Sequence, residues 1–260
     1  MSTNLSNITQ YRNPPVVEVG IFFDFYPSEK TPQWNEETAK AFFQHQEIEK
    51  EFSNVEEIYK QQFYIKSNLQ DKTASTTVFT PTIDEILARD KKSSMLSLGK
   101  NQLAYRLGRK DNEFPHYNAV EQSIFEILPI YNEFWKPERI TNISLSYVDI
   151  VKIPEQRIDL DEYFLLNVSF PEAMGETNFV EGRVVFSDEY GYKDVMFRSK
   201  PSENKSDGTF QFFWTARQQL DKEAQNKNEI KNVMEKLHEG LRDSFERSFT
   251  DKCKKLFDPF

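Results

Sequence analysis

Carboxylates that could hold a metal ion, with basic residues beside them, are concentrated in one predicted hairpin. Glu181, Asp188 and Asp194 lie there with Arg183 and Lys193. Metal-dependent nucleases use carboxylates on adjacent strands, with a nearby lysine, to hold Mg²⁺ and activate water. The same mixture of charges is typical of any exposed hairpin, so a solvated surface is the competing interpretation.

A histidine at a predicted helix start is the best candidate for a general base. His116 follows Phe114-Pro115, and the positive end of the helix dipole disfavours the imidazolium form there. A capping or partly buried histidine is the alternative. The chain has three histidines and one cysteine, which disfavours a Cys/His zinc site. His238 lies beside Glu239 in a predicted helix, and sequence neighbours do not face each other on a helix, so we expect no dyad there. We therefore expect no metal centre and no cofactor.

Two phenylalanines interrupt the polar faces of their predicted strands. Phe22 and Phe213 alternate with apolar neighbours that form the other, core-facing side of each strand. Apolar side chains exposed on a sheet face are typical of a protein contact, so these two residues predict an interaction surface for a protein partner or a second copy.

Composition disfavours several classes of protein. The chain has 260 residues, a net charge of −9 and only 8 glycines, where average usage would give roughly 18. An acidic chain disfavours nucleic-acid binding, and scarce glycines disfavour phosphate-binding loops. The N-terminus has no basic and apolar leader, and apolar runs are too short to span a bilayer. We expect a cytoplasmic protein without membrane contact.

Hydrophobic periodicity predicts alternating groups of strands and helices. Helices are expected over 35–51, from Pro115 to Trp135 with a kink at Pro129, over 159–164, and from 230 to about 258, with a helical turn at 83–87. Strands are expected over 16–25, 58–65, 75–80, 95–98, 102–107, 140–153, 179–187, 192–198 and 209–217.

This order of elements predicts an α+β fold built from two similar halves, residues 1–137 and 138–260, within one structural unit. Each half contains a strand, a helix, three or four further strands and a long helix, so that an antiparallel sheet packs against that long helix. The repeated plan is similar to that of the TATA-binding protein. The analogy concerns architecture and implies no function.

Three segments resemble a sporadically distributed family of uncharacterised prokaryotic proteins. They are Tyr-Arg-Asn-Pro-Pro-Val-Val-Glu-Val at 11–19, the strand at 140–149, and Leu-His-Glu followed by two phenylalanines within 237–251. The family strand usually contains Leu-Arg-Tyr-Ile-Asn, whereas Ser146 and Asp149 stand here for the Arg and the Asn. The resemblance implies no activity, and the patchy occurrence of the family implies mobile or defence-related gene neighbourhoods.

Three functions remain open from the sequence. The leading hypothesis is a non-enzymatic interaction protein, acting as a sensor, adaptor or regulatory subunit in a prokaryotic anti-phage defence system. The second is a metal-dependent nuclease or hydrolase that uses Glu181, Asp188 and Asp194. The third is a binder of a small ligand or nucleotide in the groove between the helices and the sheet.

Overall fold

The protein has an α+β fold dominated by one antiparallel sheet. The computed structural model describes residues 10–52, 54–60, 63–68, 73–78, 82–90, 93–111, 113–155, 158–165, 181–200, 208–222 and 225–259. The strands in this part of the chain are β1 Val16–Tyr26, β2 Asn54–Lys60, β3 Phe63–Asn68, β4 Thr73–Val78, β5 Thr82–Arg89, β6 Ser94–Gly99, β7 Gln102–Gly108, β8 Arg139–Ile153, β9 Glu181–Asp188, β10 Gly191–Lys200 and β11 Gly208–Gln219.

Nine of these strands form a single sheet in the order β2-β5-β6-β7-β1-β8-β11-β10-β9, while β3 and β4 pair separately as a hairpin. The central pair joins β1 to β8, with Ile21 opposite Leu145 and Phe23 opposite Ile143. All of the pairings are antiparallel. The order makes β2 and β9 the two edge strands of the sheet.

The helices cover one face of the sheet. They are α1 Glu36–Phe43, α2 Gln46–Glu51, α3 Tyr117–Trp135, α4 Leu160–Tyr163, α5 Lys227–Ser248 and α6 Asp251–Lys254, which a 3₁₀ turn at Lys255–Phe257 follows. Helix α3 packs on β1 and β7, and α5 packs on β8 and β11. None of the described helices is long and apolar enough to cross a membrane.

Aromatic side chains fill the layer between the sheet and these helices. Phe25 of β1 stacks on Tyr131 of α3, with ring centroids 4.4 Å apart. Under α5, Phe212 and Trp214 of β11 contact Phe249 at 5.1 and 6.0 Å. The abundant phenylalanines therefore supply much of the buried apolar surface that stabilises the fold.

The predicted elements differ from the structure in four places, three of which lie before residue 90. Residues 83–87 form part of strand β5 instead of a helical turn, because β5 pairs with β2 on one side and β6 on the other. The helix expected over 35–51 is two helices, α1 and α2, and its predicted first residue Asn35 caps α1 by accepting a hydrogen bond from the Thr38 amide. The strand expected over 58–65 is likewise divided between β2 and β3.

The last predicted helix ends earlier than expected. Helix α5 stops at Ser248, where Phe249 adopts an extended conformation and forms a β-bridge with Phe164. Thr250 then caps α6 by accepting a hydrogen bond from the Cys253 amide. Residues 79–80 and 179–180, which end and begin two of the predicted strands, lie outside the described residues.

A buried lysine attaches α5 to the outer part of the sheet. The Lys193 ammonium donates to Asp188 Oδ2 at 2.6 Å, to the Gly240 carbonyl at 2.8 Å and to Ser244 Oγ at 3.1 Å. An ammonium group has three donors, so these three acceptors satisfy it fully. The helix can approach this closely because residue 240 is glycine: an added Cβ would lie 2.6 Å from Tyr190 Cβ.

We expect Gly240→Ala to destabilise the protein by about 1–2 kcal/mol. The clash with Tyr190 costs more than the gain of about 1 kcal/mol in helix propensity. Urea unfolding followed by circular dichroism measures the difference. Glu239→Ala, at the exposed neighbouring position, is the matched control and should change stability by no more than about 0.5 kcal/mol. Equal or greater stability of Gly240→Ala would contradict this close packing.

Candidate functional site

Four separate segments of the chain meet around one cavity under helix α5. The cavity has a volume of about 160 Å³. Its lining comes from the segment before β1, from β8 and β11, and from α5: Tyr11, Pro14, Pro15, Val16, Tyr147, Asp149, Trp214, His238, Leu241, Arg242, Phe245 and Glu246. We call it the Asp149 cavity.

Backbone hydrogen bonds hold the first of these segments in place. The Ile150 amide donates to the Pro15 carbonyl at 2.9 Å, which fixes the start of β1 against β8. The amides of Arg12 and Asn13 donate to the carbonyls of Asp258 and Phe257. Residues 11–16, which form one wall of the cavity, are therefore held in place by hydrogen bonds to residues that are distant in the sequence.

Asp149 is the most deeply buried charged group in the cavity. It continues the row of β8 side chains that faces the helices, and it is 2% exposed. Its Oδ2 atom accepts a hydrogen bond from the Trp214 indole nitrogen at 2.7 Å. Burial raises the pKa of the Asp149 carboxyl to about 7, although the Trp214 hydrogen bond acts in the opposite direction.

The second carboxylate oxygen of Asp149 has no hydrogen-bond partner in the described part of the protein. Buried carboxylates normally accept several hydrogen bonds, because leaving a lone pair unmatched costs free energy. Since Asp149 lines the cavity, this oxygen is available to a group that enters it.

A neutral histidine and a tyrosine form the neighbouring wall. The Tyr147 hydroxyl lies 2.7 Å from His238 Nδ1, and the imidazole stacks on Tyr117 with centroids 4.2 Å apart. Burial and, secondarily, the Arg242 charge lower the pKa of His238 to about 4. Burial raises the pKa of Tyr147 well above its ordinary value, so both groups are neutral at pH 7.

Two charged residues lie one and two turns further along α5. The Glu246 carboxylate accepts hydrogen bonds from the Tyr11 hydroxyl at 3.0 and 3.2 Å and pairs with Lys254 at 3.2 Å. Arg242 has no ion pair or hydrogen bond in the described ranges. The cavity therefore combines apolar and aromatic walls with one unsatisfied carboxylate oxygen and one unpaired guanidinium.

The hairpin carboxylates lie apart from this cavity and from one another. Asp188 contacts Lys193 on the helix-covered face, whereas Asp194 pairs with Arg183 on the opposite face at 2.5 Å. Glu181 lies opposite residue 198, four positions from Asp194, which corresponds to roughly 13 Å along a strand. Among the described residues, no three His, Cys, Asp or Glu side chains are arranged to hold a metal ion.

The other predicted site residues also lie outside the cavity. His116 is exposed at the N-cap of α3, and its side chain makes no capping hydrogen bond. Phe22 and Phe213 occupy the sheet face opposite the helices, where Arg106 and Arg198 lie over their rings at 5.0 and 5.1 Å. Their role as an interaction surface stays a prediction.

Sequence reasoning did not assign the Asp149 cavity, although one signal for it was visible. Asp149 interrupts an otherwise apolar row in the longest strand, and an acidic residue in such a row needs either a buried partner or a ligand. The sequence indicates no partner for His238, because its neighbour Glu239 faces another direction on the helix. Its actual partner, Tyr147, is 91 residues away.

Comparison with known proteins adds no assignment to these observations: neither the family models nor the curated proteins compared with the chain give a match.

The raised pKa of Asp149 predicts a pH-dependent effect of Asp149→Asn. The native carboxyl stays protonated up to about pH 7, whereas the unfolded one ionises near pH 4, so Asp149 makes the wild type less stable as pH rises between these values. Asparagine does not ionise. The unfolding free energy of the variant minus that of the wild type should therefore rise by about 2–3 kcal/mol from pH 5 to pH 8.

Urea unfolding at pH 5, 6, 7 and 8 measures this difference. His238 destabilises both proteins as pH falls from 6.5 towards its folded pKa of about 4, so its effect largely cancels. Asp194→Asn is the control: its pairing with Arg183 lowers the Asp194 pKa, so that carboxyl is ionised throughout and its difference should be flat. A flat difference for Asp149→Asn would contradict the raised pKa.

Proposed function

We propose that the protein binds a small ligand in the Asp149 cavity. The observation that carries this proposal is the Asp149 carboxylate, which is almost completely buried, accepts one hydrogen bond and has a second oxygen available in the cavity. A donor on a ligand would compensate the cost of burying that oxygen.

The contrast with Lys193 supports a role in binding for Asp149. Lys193 is completely buried as well, but its three donors have three acceptors within the protein, as expected of a structural charge. Among the residues that the structure describes, Trp214 is the single hydrogen-bond partner of Asp149. Perturbed, incompletely satisfied carboxyl groups in clefts are typical of functional sites.

The proposed site also unites the three segments that resemble the prokaryotic family. The first supplies Tyr11 and Val16, the second supplies Tyr147 and Asp149, and the third supplies His238. We infer that these three segments carry the resemblance because together they form one binding site. Where the family strand has Asn, Asp149 keeps an acceptor for Trp214 and adds a negative charge.

In the proposed two-half plan, related to that of the TATA-binding protein, the first half supplies residues 11–16 of this site and the second half supplies the rest of its lining. Outward from the β1–β8 pair, the strand order is β7-β6-β5-β2 on one side and β11-β10-β9 on the other. The long helices α3 and α5 cover one side each. This arrangement supports halves at 1–137 and 138–260 that share one sheet.

Ligand binding should be visible at the Trp214 indole N–H. The chain has three tryptophans, and Trp214→Phe identifies the relevant resonance in a ¹H–¹⁵N spectrum. We expect benzylamine, phenol or benzoate, probes of the size that a cavity of this volume admits, to shift that resonance saturably. The resonances of Trp34 and Trp135 should stay unchanged.

Two valine substitutions provide matched variants for this experiment. Val16→Phe adds bulk to the cavity wall and should abolish the shift of the Trp214 resonance. The adjacent residue Val17 lines a different pocket, so Val17→Phe should preserve the shift. Absence of any shift with all three probes, or an unchanged shift in Val16→Phe, would contradict ligand binding in this cavity.

A second candidate is the non-enzymatic interaction protein, a sensor, adaptor or regulatory subunit in anti-phage defence. The edge strand β9 favours it, because Val184, Val185 and Phe186 are 43%, 49% and 38% exposed. An exposed apolar edge strand can add a strand from a partner chain or from a second copy.

A lysine on the β9 edge should prevent this association. We expect the wild type to form a homo-oligomer or to retain a partner after affinity purification from the native host, and Val185→Lys to lose it. Light scattering after size exclusion, with mass spectrometry, measures both. Val55→Lys, on the opposite edge strand and similarly exposed at 42%, should behave as wild type. Recovery of wild-type chain alone, as a monomer, would contradict this candidate.

A further inference from the structure

Two opposite charges face the Asp149 cavity without pairing with each other. Asp149 has only the Trp214 indole as a hydrogen-bond partner, and Arg242 has none in the described part of the chain. Both residues line the same cavity. Oppositely charged groups that are held apart in one cleft are complementary to a ligand that carries both charges.

The other polar groups of the cavity do not compete for such a ligand. His238 and Tyr147 are neutral and are hydrogen-bonded to each other. Glu246 is engaged by Tyr11 and Lys254. The remaining polar atoms therefore leave one anionic and one cationic position for a ligand.

The rest of the lining is apolar. Val16, Leu241 and Phe245 surround the space next to Trp214, and the volume of about 160 Å³ admits a body about the size of a benzene ring. A suitable ligand must therefore combine a compact apolar body with the two charges.

We propose that the Asp149 cavity binds a free apolar amino acid, whose ammonium group donates to Asp149 Oδ1, whose carboxylate accepts from Arg242, and whose side chain packs against Trp214 and Phe245. This inference rests on the proposed ligand-binding function and specifies its ligand class. Amino acids are the simplest compact molecules that carry an ammonium and a carboxylate beside an apolar group. Binding would satisfy the free Asp149 oxygen and neutralise both cavity charges.

The test compares L-leucine with two analogues that each lack one charge. 3-Methylbutylamine lacks the carboxylate, and 4-methylpentanoate lacks the ammonium group. Titration calorimetry at pH 8, where Asp149 is ionised, should give at least about tenfold weaker binding of each analogue, since each loses a charge-assisted hydrogen bond. L-Phenylalanine tests the size limit of the apolar part.

Variants assign each charge to its residue. Arg242→Gln should bind L-leucine no more tightly than 3-methylbutylamine. Asp149→Asn should bind L-leucine no more tightly than 4-methylpentanoate. Arg247→Gln changes an exposed arginine of the same helix that pairs with Asp243, and it should leave all affinities unchanged. Unfolding temperatures of each variant separate loss of binding from loss of folding.

The outcomes distinguish this inference from the proposed function. If the aromatic probes shift the Trp214 resonance but neither amino acid binds more tightly than the analogues, the amino acid assignment is wrong and ligand binding stands. If neither probes nor amino acids bind, both proposals are wrong. A tenfold preference of the wild type for L-leucine over 3-methylbutylamine that persists in Arg242→Gln would also overturn the assignment.

Discussion

The antiparallel pairing of β1 with β8 is the contact on which the rest of the structure depends. Every other strand of the main sheet joins it through one of these two. The pairing also aligns their apolar rows on one side, with Ile21 beside Leu145, and this common face is the one that α3 and α5 cover. A register shift of one residue between β1 and β8 would turn the apolar row of one strand away from the helices.

The same pairing brings the start of β1 beside the polar position of β8. Val16 lies opposite Asp149, next to a register shift, and the Pro15 carbonyl accepts from the Ile150 amide. Residues 11–16 thus close one side of the cavity, and α5 closes the other. The Trp214 indole N–H, which donates to Asp149 Oδ2, offsets part of the cost of burying this carboxylate.

The opposite sheet face has a different physical character. Phe22 and Phe213 lie there, yet Arg106 and Arg198 cover part of each ring. Such cation–π contacts reduce the exposed apolar area and keep the arginine stems on the sheet. Three consecutive exposed apolar side chains, Val184, Val185 and Phe186, lie instead on the β9 edge, so a partner contact is better supported at the edge than across this face.

The sequence by itself determined the fold class and the elements whose periodicity is local. The alternation in 16–25 and 140–153 predicted β1 and β8, and the spacing after Pro115 predicted α3, because side-chain orientation in a strand or helix depends only on nearby positions. Tertiary structure decided residues 83–87, which two neighbouring strands recruit into the sheet, and the end of α5, where Phe249 pairs with Phe164. Tertiary structure also formed the cavity. Asp149 and its partner Trp214 are separated by 65 residues in the sequence, and Tyr147 and its partner His238 by 91. The periodicity of a segment specifies which face is buried, whereas the group that each buried polar atom meets is set by contacts between segments that no local pattern encodes.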